Sequence, residues 1–331
     1  MRWHMFLSFI VPVYNTEKYI EDCLRSILNQ DIPQKDYEIV CVNDGSTDSS
    51  LEILRCFEQQ YSNIRVLNQN NRGVCQARNA GLQAAVGEYI WFVDADDMVT
   101  ENILSRIWES LQESQDRMVV GGCEFSENGE PALISNAWED TVVWRNLFRR
   151  QFLLDHNLRF HYPELTFGED GLFMYEVKRQ LPTKTVFPQT AYWHRNRPGS
   201  LSTELSPETE ERRLKNNIRE AEILKGYYEA GGILETETAD RFVSFLWGSL
   251  FRISLMPGAD ASPHLRSMKE KGLYPYKRPK ECTITKCPEI KRNDAVGKLF
   301  DILYTNLASP WGYHGMRFVH RLFWIKQHLF K

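Results

Sequence analysis

The chain has 331 residues, of which 42% are hydrophobic and 25% charged, an ordinary composition for a globular protein with one large core or a core and an appended domain. Its net charge of −4 and the lack of a matching motif argue against nucleic acid as a partner. Residues 1–205 carry 19 Lys and Arg against 29 Asp and Glu, whereas residues 206–331 carry 21 against 15. This asymmetry predicts two parts that face different partners.

The cysteines and the apolar segments predict a cytoplasmic protein. There are seven cysteines, an odd number, and most lie in apolar contexts, as reduced thiols do. Cys282 and Cys287 lack the CxxC spacing and a nearby His set, which favours buried thiols over zinc. Pro12 interrupts the apolar start, which predicts a first strand rather than a signal peptide, and no stretch is long enough to span a membrane.

The first hundred residues alternate between strand and helix patterns. The predicted strands are residues 6–13, 37–42, 64–67 and 89–93, with helices between them at residues 20–28, 50–61 and 74–85. This βαβαβαβ order predicts a doubly wound parallel sheet, in which ligands bind outside the carboxyl ends of the strands. The motifs PVYN, NDGSTD and DADD all follow predicted strands at such ends.

The rest of the chain is less regular. A helix is predicted over residues 104–115 and a strand over 118–125, followed by loops and short strands of a second substrate subsite over 126–200. Helices are predicted over 213–230 and 239–255, and a connecting loop over 257–297 because Pro, Lys and Arg are frequent there. These patterns predict an α/β domain at residues 1–205 and a mainly helical region at 206–331.

Asp44 follows the second predicted strand, in the motif NDGSTD. The residues after it fit a strand-to-helix turn with Asp48 as N-cap, but that turn does not explain a carboxylate at the binding edge. Such a carboxylate can accept the imide N–H of a uracil ring. The motif PVYN (Pro12, Val13, Tyr14 and Asn15) offers backbone groups and a ring face beside it.

Arg72 and Arg78 belong to the segment NRGVCQARNAGL, which follows the third predicted strand and opens a helix. Two arginines aimed at the same edge of the sheet can meet phosphate charge. They can equally neutralise the aspartates at that edge. The residues alone leave both interpretations open.

The motif DADD places three carboxylates, Asp94, Asp96 and Asp97, at the end of a buried strand, where their mutual repulsion calls for protons, hydrogen-bond donors or a cation. An EF-hand loop would require a later glycine and glutamate, and Met98 and Val99 follow instead. An aspartyl-nucleophile phosphatase motif also fits poorly. Oxygen ligands suit Mg²⁺ or Mn²⁺, so a metal–nucleotide site fits best.

In this order and spacing, the motifs FIVPVYN, VNDGSTDSS, NRGVCQARNAGL and YIWFVDADD resemble the family 2 glycosyltransferases over the first hundred residues. The resemblance implies an α/β GT-A fold, which has a Rossmann-like, mainly parallel sheet flanked by helices, here with a helical C-terminal extension. It implies that Asp96 is the direct ligand of Mn²⁺ or Mg²⁺. Asp94 would act through ribose or water, with Ala95 between the two, and Asp44 would contact uracil.

Two later motifs acquire roles by the same resemblance. In GED, Glu169 and Asp170 suit the first turn of a helix, where acids are favoured by the macrodipole, and the resemblance implies Asp170 as the catalytic base. The residues of WHRNRPGSLS can instead be core or loop residues that bind no ligand. There the resemblance implies Arg197 and Ser200 as diphosphate ligands and His194 as a third metal ligand.

The predicted function is that of an inverting, metal-dependent hexosyl- or N-acetylhexosaminyltransferase. It would move a sugar from a UDP-sugar to a hydroxyl of a saccharide or polyprenyl-linked saccharide in exopolysaccharide, lipopolysaccharide or capsule biosynthesis. A sugar-1-phosphate nucleotidyltransferase would require a GxGxR loop where this chain has PVYN. A nucleotide-sugar-binding protein without turnover remains the alternative from another class.

The C-terminal segment mixes basic and apolar residues. Residues 316–326 have near-helical spacing, which predicts either a basic amphipathic helix at the inner face of the plasma membrane or a helix packed on its own domain. The sequence leaves the two open.

Overall fold

The computed structural model describes residues 5–112, 116–126, 131–133, 142–165, 168–181, 183–197, 206–231, 235–255, 258–275, 279 and 282–283. The chain divides into two compact units, Met1–Glu204 and Leu205–Lys331. None of the helices within the described ranges is both long and apolar enough to cross a membrane. The six cysteines that fall in these ranges are free thiols, and Cys287 lies outside them.

The first unit consists of one sheet with helices on both faces. Its strands are β1 (Leu7–Val13), β2 (Tyr37–Asp44), β3 (Ile64–Gln69), β4 (Tyr89–Phe92), β5 (Met98–Val99), β6 (Arg117–Ser126), β7 (Pro131–Leu133), β8 (Asn146–Arg149) and β9 (Thr185–Asn196). Its helices are α1 (Ile20–Leu28), α2 (Ser50–Gln60), α3 (Val74–Ala84), α4 (Leu104–Gln112), α5 (Arg150–Asp155) and α6 (Glu169–Gln180).

The strand order is β3-β2-β1-β4-β8-β6-β9-β5, with β7 paired to β6. The first four strands in this order are parallel, as the sequence predicts, and β8 then runs antiparallel to β4 and to β6. The α/β fold is confirmed, and its sheet is parallel in the first half and mixed in the second. Because β2 and β4 flank β1 on opposite sides, the carboxyl ends of β1 and β4 border the crevice where the strand order reverses.

The strand β1 is buried on both faces, which explains its continuous apolar sequence. Phe9 and Val11 belong to a core cluster with residues of α1, α2 and α4. Ile10 belongs to the cluster on the opposite face, with residues of α3, α5 and α6. Alternation along β1 thus supplies both cores and holds Tyr14 and Asn15, which follow the strand, at the edge of the sheet.

The prediction of short strands over residues 126–200 is wrong for β9, which has 12 residues. This strand pairs in parallel with β6, and the register shifts between Val120 and Gly121 and again between Gly121 and Gly122. These irregularities interrupt the alternation of apolar and polar residues by which a strand is recognised in sequence.

The second unit contains the helices α7 (Pro207–Ala230), α8 (Glu235–Leu255) and α9 (Gly258–Glu270). The loop predicted over residues 257–297 is therefore wrong where α9 lies. Ala261 and Met268 are buried two turns apart on α9, so packing outweighs the helix-breaking tendency of Pro263. The predicted helix over residues 316–326 lies outside the described residues.

Candidate functional site

The loops after β1 and β2 meet at the carboxyl edge of the sheet and are joined by hydrogen bonds. The Asn15 N–H donates to Ser46 Oγ over 3.1 Å, and the Thr47 N–H donates to Asn15 Oδ1 over 2.8 Å. Asn15 has a φ of 52°, in the left-handed region that asparagine tolerates better than most residues. The motifs PVYN and NDGSTD therefore form one connected rim.

The other residues of PVYN differ in exposure. Pro12 and Val13 lie within β1 and are buried. Tyr14 is 48% exposed and presents its ring at this rim. Any side-chain contact from this motif to a ligand must therefore come from Tyr14 or Asn15, while Pro12 and Val13 position the backbone.

Asp44 ends β2 and is only 3% exposed. Its Oδ1 accepts hydrogen bonds from Gln69 Nε2 at 2.6 Å and from the Arg72 N–H at 2.9 Å, and its Oδ2 accepts one from the Gly73 N–H at 2.8 Å. A carboxylate has about four acceptor positions, so three are used and one remains for a ligand. Asp44 thus fixes the loop that leads into α3.

The acids of DADD have different surroundings. The side chain of Asp94 is 31% exposed and that of Asp96 is 21% exposed, and an arginine binds one carboxylate oxygen of each. Ala95 between them is buried. The second oxygens, Asp94 Oδ2 and Asp96 Oδ1, have no hydrogen-bond partner in the part of the chain that the structure describes. Two carboxylates are thereby available at the crevice.

Asp97 points the other way and is 2% exposed. Its Oδ2 accepts from the Tyr192 hydroxyl at 2.6 Å and its Oδ1 from the Arg195 N–H at 2.8 Å. Burial, with the nearby charges of Asp96 and Asp94, raises the pKa of Asp97 well above its usual range. Asp97 connects β9 to the end of β4 and has a structural role.

Arg78 connects DADD to GED. Its side chain is 4% exposed, and its guanidinium lies 2.9 Å from Asp94 Oδ1, 3.0 Å from Glu169 Oε1 and 2.6 Å from Asp170 Oδ1. Its Cζ also lies 5.2 Å from the centroid of the Phe160 ring. These contacts favour the interpretation in which Arg78 neutralises the acids of the edge, because both of its terminal nitrogens face carboxylates, while its buried Nε has no hydrogen-bond partner among the described residues.

Asp170 lies in the first turn of α6, which begins after Gly168 in the left-handed conformation (φ 86°). Burial raises the pKa of Asp170 to about 7, and the charge of Arg78 opposes that rise while the charges of Glu169 and Asp94 add to it. A carboxyl group with this pKa can change its protonation state near neutral pH, as a general base must.

Two arginines at the end of β9 approach DADD from the other side. Arg197 Nε lies 2.5 Å from Asp96 Oδ2, and Arg195 Nε donates to the Asp96 carbonyl oxygen over 2.9 Å. Both guanidinium groups lie over the Tyr19 ring, with Cζ 5.2 and 5.3 Å from its centroid. The predicted phosphate ligand Arg197 thus lies beside the predicted metal ligand Asp96, while Ser200 lies outside the described residues.

His194 stacks on the indole of Trp144, with centroids 5.5 Å apart. Its Nδ1 is buried and has no hydrogen-bond partner among the residues that the structure describes. A buried imidazole nitrogen without a partner is costly, so a ligand or ion that meets it would relieve that cost.

No group of three or more His, Cys, Asp or Glu side chains within the described ranges is arranged to hold a metal ion. The predicted set of Asp94, Asp96 and His194 is therefore not assembled as three protein ligands. Mg²⁺ and Mn²⁺ sites at nucleotides commonly take one or two carboxylates and complete their coordination with phosphate oxygens. The unpartnered oxygens of Asp94 and Asp96 fit such a site.

Sequence reasoning missed several contacts that shape the site. Tyr192 donates to Asp97, Gln69 donates to Asp44, and Trp144 stacks on His194. Trp144 and Tyr192 lie in the segment where periodicity is weak, and their roles depend on strand pairing across the sheet. No local motif marks them.

Comparison with known proteins gives consistent matches. A sequence model of the family described as Glycosyl transferase family 2 matches residues 8–174. The chain is 34% identical over 220 residues to an uncharacterized glycosyltransferase, EpsJ, of Bacillus subtilis, covering 59% of this chain and 62% of that protein. It is 43% identical over 183 residues to a poly(ribitol-phosphate) beta-glucosyltransferase of Bacillus spizizenii, covering 51% of this chain and 29% of that protein. The chain thus spans less than two thirds of the length of these relatives.

The fold resembles that of solved glycosyltransferases. A crystal structure of residues 1–349 of Staphylococcus aureus TarS in complex with UDP-GlcNAc superposes with a TM-score of 0.67 at 21% identity, covering 96% of this chain and 92% of that chain. A mannosyltransferase from Pyrobaculum calidifontis, in complex with GDP-Man and Mn²⁺, superposes with a TM-score of 0.53 at 16% identity, covering 81% of this chain and 80% of that one. The expected GT-A fold is confirmed.

Proposed function

Because the chain belongs to glycosyltransferase family 2, we propose that it transfers a hexosyl or N-acetylhexosaminyl group from a UDP-sugar, with inversion, to a hydroxyl of a saccharide or lipid-linked saccharide. The product would belong to a cell-surface polysaccharide. The observation that supports this most directly is the triple contact of Arg78, which joins Asp170 to Asp94 and so combines a candidate base and a candidate nucleotide site in one cluster.

In the proposed reaction Asp170 takes the proton from the acceptor hydroxyl while that oxygen attacks the anomeric carbon. The bond from that carbon to the diphosphate breaks, and UDP leaves with the bonding electron pair. Asp170 suits this step because burial raises its pKa to about 7, so that a large fraction is unprotonated at neutral pH yet basic enough to take a proton.

The donor would lie along the rim formed by the ends of β1, β2 and β4. Asp44 would accept the uracil imide N–H with its remaining acceptor position, beside the Tyr14 ring. Arg72 and Arg197 would face the diphosphate, with Ser200 as a further predicted ligand. Preorganised donors and cations of this kind stabilise the charge that develops on a leaving diphosphate.

Asp94 and Asp96 would hold Mn²⁺ or Mg²⁺, with His194 as the predicted third ligand. The metal would act as a Lewis acid that neutralises the diphosphate. The structure of the Pyrobaculum relative contains GDP-Man and Mn²⁺, and that of TarS contains UDP-GlcNAc, so nucleotide-sugar and metal chemistry occurs on this fold.

Some relatives are poly(ribitol-phosphate) glycosyltransferases, which supports a polymeric cell-surface acceptor. A polyprenyl-linked saccharide and docking of residues 316–326 at the inner face of the plasma membrane stay predictions.

The donor assignment can be tested by thermal-shift or calorimetric titration of the full chain with a panel of UDP-sugars and Mn²⁺. At least one UDP-sugar should raise the melting temperature, and Asp96→Ala should weaken that effect. If no UDP-sugar changes the stability of the intact protein, the donor assignment is wrong. UDP release that no saccharide acceptor accelerates would favour the alternative of a binding protein without transfer.

A further inference from the structure

A cavity runs along α3. It has a volume of about 620 Å³ and lies between α3 and the segment 153–163. We call it the α3 groove and define it by Arg72, Gln76, Gln83, Leu153, Arg159 and Phe160, which line it. The groove lies wholly within the first unit, and of the six residues that define it only Arg72 also has a role in the proposed reaction.

The two walls of the groove run in opposite directions. The Asn79 side chain donates to the Phe160 carbonyl oxygen over 2.9 Å and accepts from the Phe160 N–H over 2.9 Å. These two hydrogen bonds join the wall formed by residues 153–163 to the middle of α3. A Cβ on Gly73 would lie 3.8 Å from the Pro163 carbonyl oxygen, so the wall also approaches the start of the helix. At about 1.5 Å per residue, the 11 residues of α3 give the groove a length of roughly 16 Å.

The groove is electropositive. Arg72 and Arg159 line it, and no Asp or Glu is among the described residues that line it. Arg159 Nε lies 3.5 Å from His161 Nδ1, and no carboxylate in the described part of the chain pairs with either arginine side chain. Since Arg72 would face the donor diphosphate, Arg159 is the cation at this cavity that favours a further anionic ligand.

The remaining lining suits a chain of hydroxyl groups. The carboxamides of Gln76, Gln83 and Asn157 line the cavity and have no hydrogen-bond partner within the described ranges. Carboxamides both donate and accept, so they can bind hydroxyls in either orientation. Leu154, which is 43% exposed, adds apolar surface against which the carbon face of a sugar or polyol can pack.

We propose that the α3 groove binds an anionic, polyhydroxylated chain that is part of the acceptor. This inference rests on the proposed function. Phe160 connects the two regions, because it lines the groove and its buried ring lies 5.2 Å from Cζ of Arg78, which contacts Asp170. The repeated charge of a chain in the groove would set the acceptor class.

The test measures binding to the full chain by calorimetry with four probes: an oligomer of ribitol phosphate, an oligosaccharide that contains uronic acids, a neutral oligosaccharide of similar length, and inorganic phosphate. At least one anionic oligomer should bind more tightly than the neutral one and than phosphate, and added salt should weaken its binding. Which oligomer it is distinguishes a phosphodiester from a carboxylate as the recognised anion.

Arg159→Glu should weaken that binding by roughly tenfold or more, since it removes a charged hydrogen-bond donor and introduces repulsion. Gln83→Ala should weaken it less. Arg106→Glu is the matched control, because Arg106 is exposed on α4 and does not line the groove. Release of UDP from the donor without acceptor should be the same in all three variants.

Equal binding of neutral and anionic oligomers, or unchanged binding in Arg159→Glu, would overturn the inference. So would binding of inorganic phosphate as tight as that of the oligomers, which would indicate a simple anion site. Binding of a UDP-sugar but of none of the oligomers would contradict only the proposed role of the α3 groove. One that binds an anionic oligomer but no UDP-sugar would contradict the proposed function.

Discussion

Arg78 joins Asp94, 16 positions later in the chain, to Asp170, 92 positions later. A buried arginine is stable only when carboxylates compensate its charge, and here three carboxylates do so. The Arg78 guanidinium keeps the acids close together without a metal ion, so the cluster is held in place before a nucleotide or metal arrives. Arg78 is therefore a positioning residue for Asp170 and Asp94.

Asp170→Asn tests the base directly. We expect acceptor-dependent transfer to fall by roughly a hundred- to ten-thousand-fold, because no group would then take the hydroxyl proton. The donor affinity should stay near that of the unmodified protein. Both are measured by steady-state release of UDP with donor and acceptor varied. Transfer near the normal rate would show that Asp170 is not the base.

The stability of Asp170→Asn gives an independent check. A carboxyl whose pKa is raised from about 3.9 to about 7 on folding favours the folded state fully below pH 3.9, and that contribution is lost as the pH rises through 7. The asparagine side chain does not titrate, so the variant does not lose this stability as the pH rises. Its melting temperature at pH 8 should therefore be no lower than that of the unmodified protein. A large drop in melting temperature would mean that loss of activity reflects misfolding.

The pH dependence of transfer follows from the same group. Since Asp170 must be unprotonated to act, kcat/KM for the acceptor should rise with pH up to about 7 and then level off. Arg78 opposes the rise in the pKa of Asp170. Arg78→Gln should therefore shift the rising part of the pH–rate profile to higher pH, whereas Arg78→Lys should keep its midpoint closer to pH 7. An unchanged pH–rate profile in Arg78→Gln would contradict this effect of Arg78 on the pKa of Asp170.

At the scale of the elements, α3 matters because it begins at the carboxyl edge of the sheet, carries Arg78 on its buried side and forms one wall of the α3 groove. Its position depends on close packing against β1. A Cβ at Gly81 would lie 2.3 Å from Cγ2 of Ile10, a distance that real atoms do not adopt. The glycine therefore allows the helix to approach the sheet.

Gly81→Ala should destabilise the first unit by about 1–3 kcal/mol, because the helix or β1 must shift to admit the methyl group. Gly226→Ala is the matched control in α7, where a Cβ would meet no atom within 4 Å. There we expect stabilisation by about 0.5–1 kcal/mol from the better helix propensity of alanine. Urea unfolding followed by circular dichroism measures both. Equal behaviour of the two variants would contradict the packing argument.

At the scale of the whole molecule, every described residue proposed to bind donor or metal lies in the unit Met1–Glu204. Hydrogen exchange with mass spectrometry can show where UDP and Mn²⁺ act. Protection should appear in the peptides that contain residues 12–15, 44–48 and 94–97, because bound ligand slows the opening of these loops. Protection confined to α7, α8 and α9 would place the nucleotide elsewhere.

Much of the fold was readable from the sequence because parallel strands buried on both faces give continuous apolar runs, and turns give glycine and acid motifs. β1, β2 and β4 appear close to their predicted bounds for that reason, and the half-exposed edge strand β3 is marked instead by the alternation of buried Ile64 and Val66 with exposed Arg65. β9 and α9 could not be read in this way. A register shift hides the alternation of β9, and packing rather than composition decides α9.

The sequence by itself determined which acids and loops lie at the carboxyl edge of the sheet, since a strand pattern followed by polar residues is a local signal. Only the tertiary structure decided that Arg78 binds Asp94, Glu169 and Asp170, that Asp97 turns inward to Tyr192, and that α3 lines a cationic groove. Ion pairs, burial and the raised pKa of Asp170 depend on residues that are distant in the chain, and their energies arise only when the fold brings those residues together.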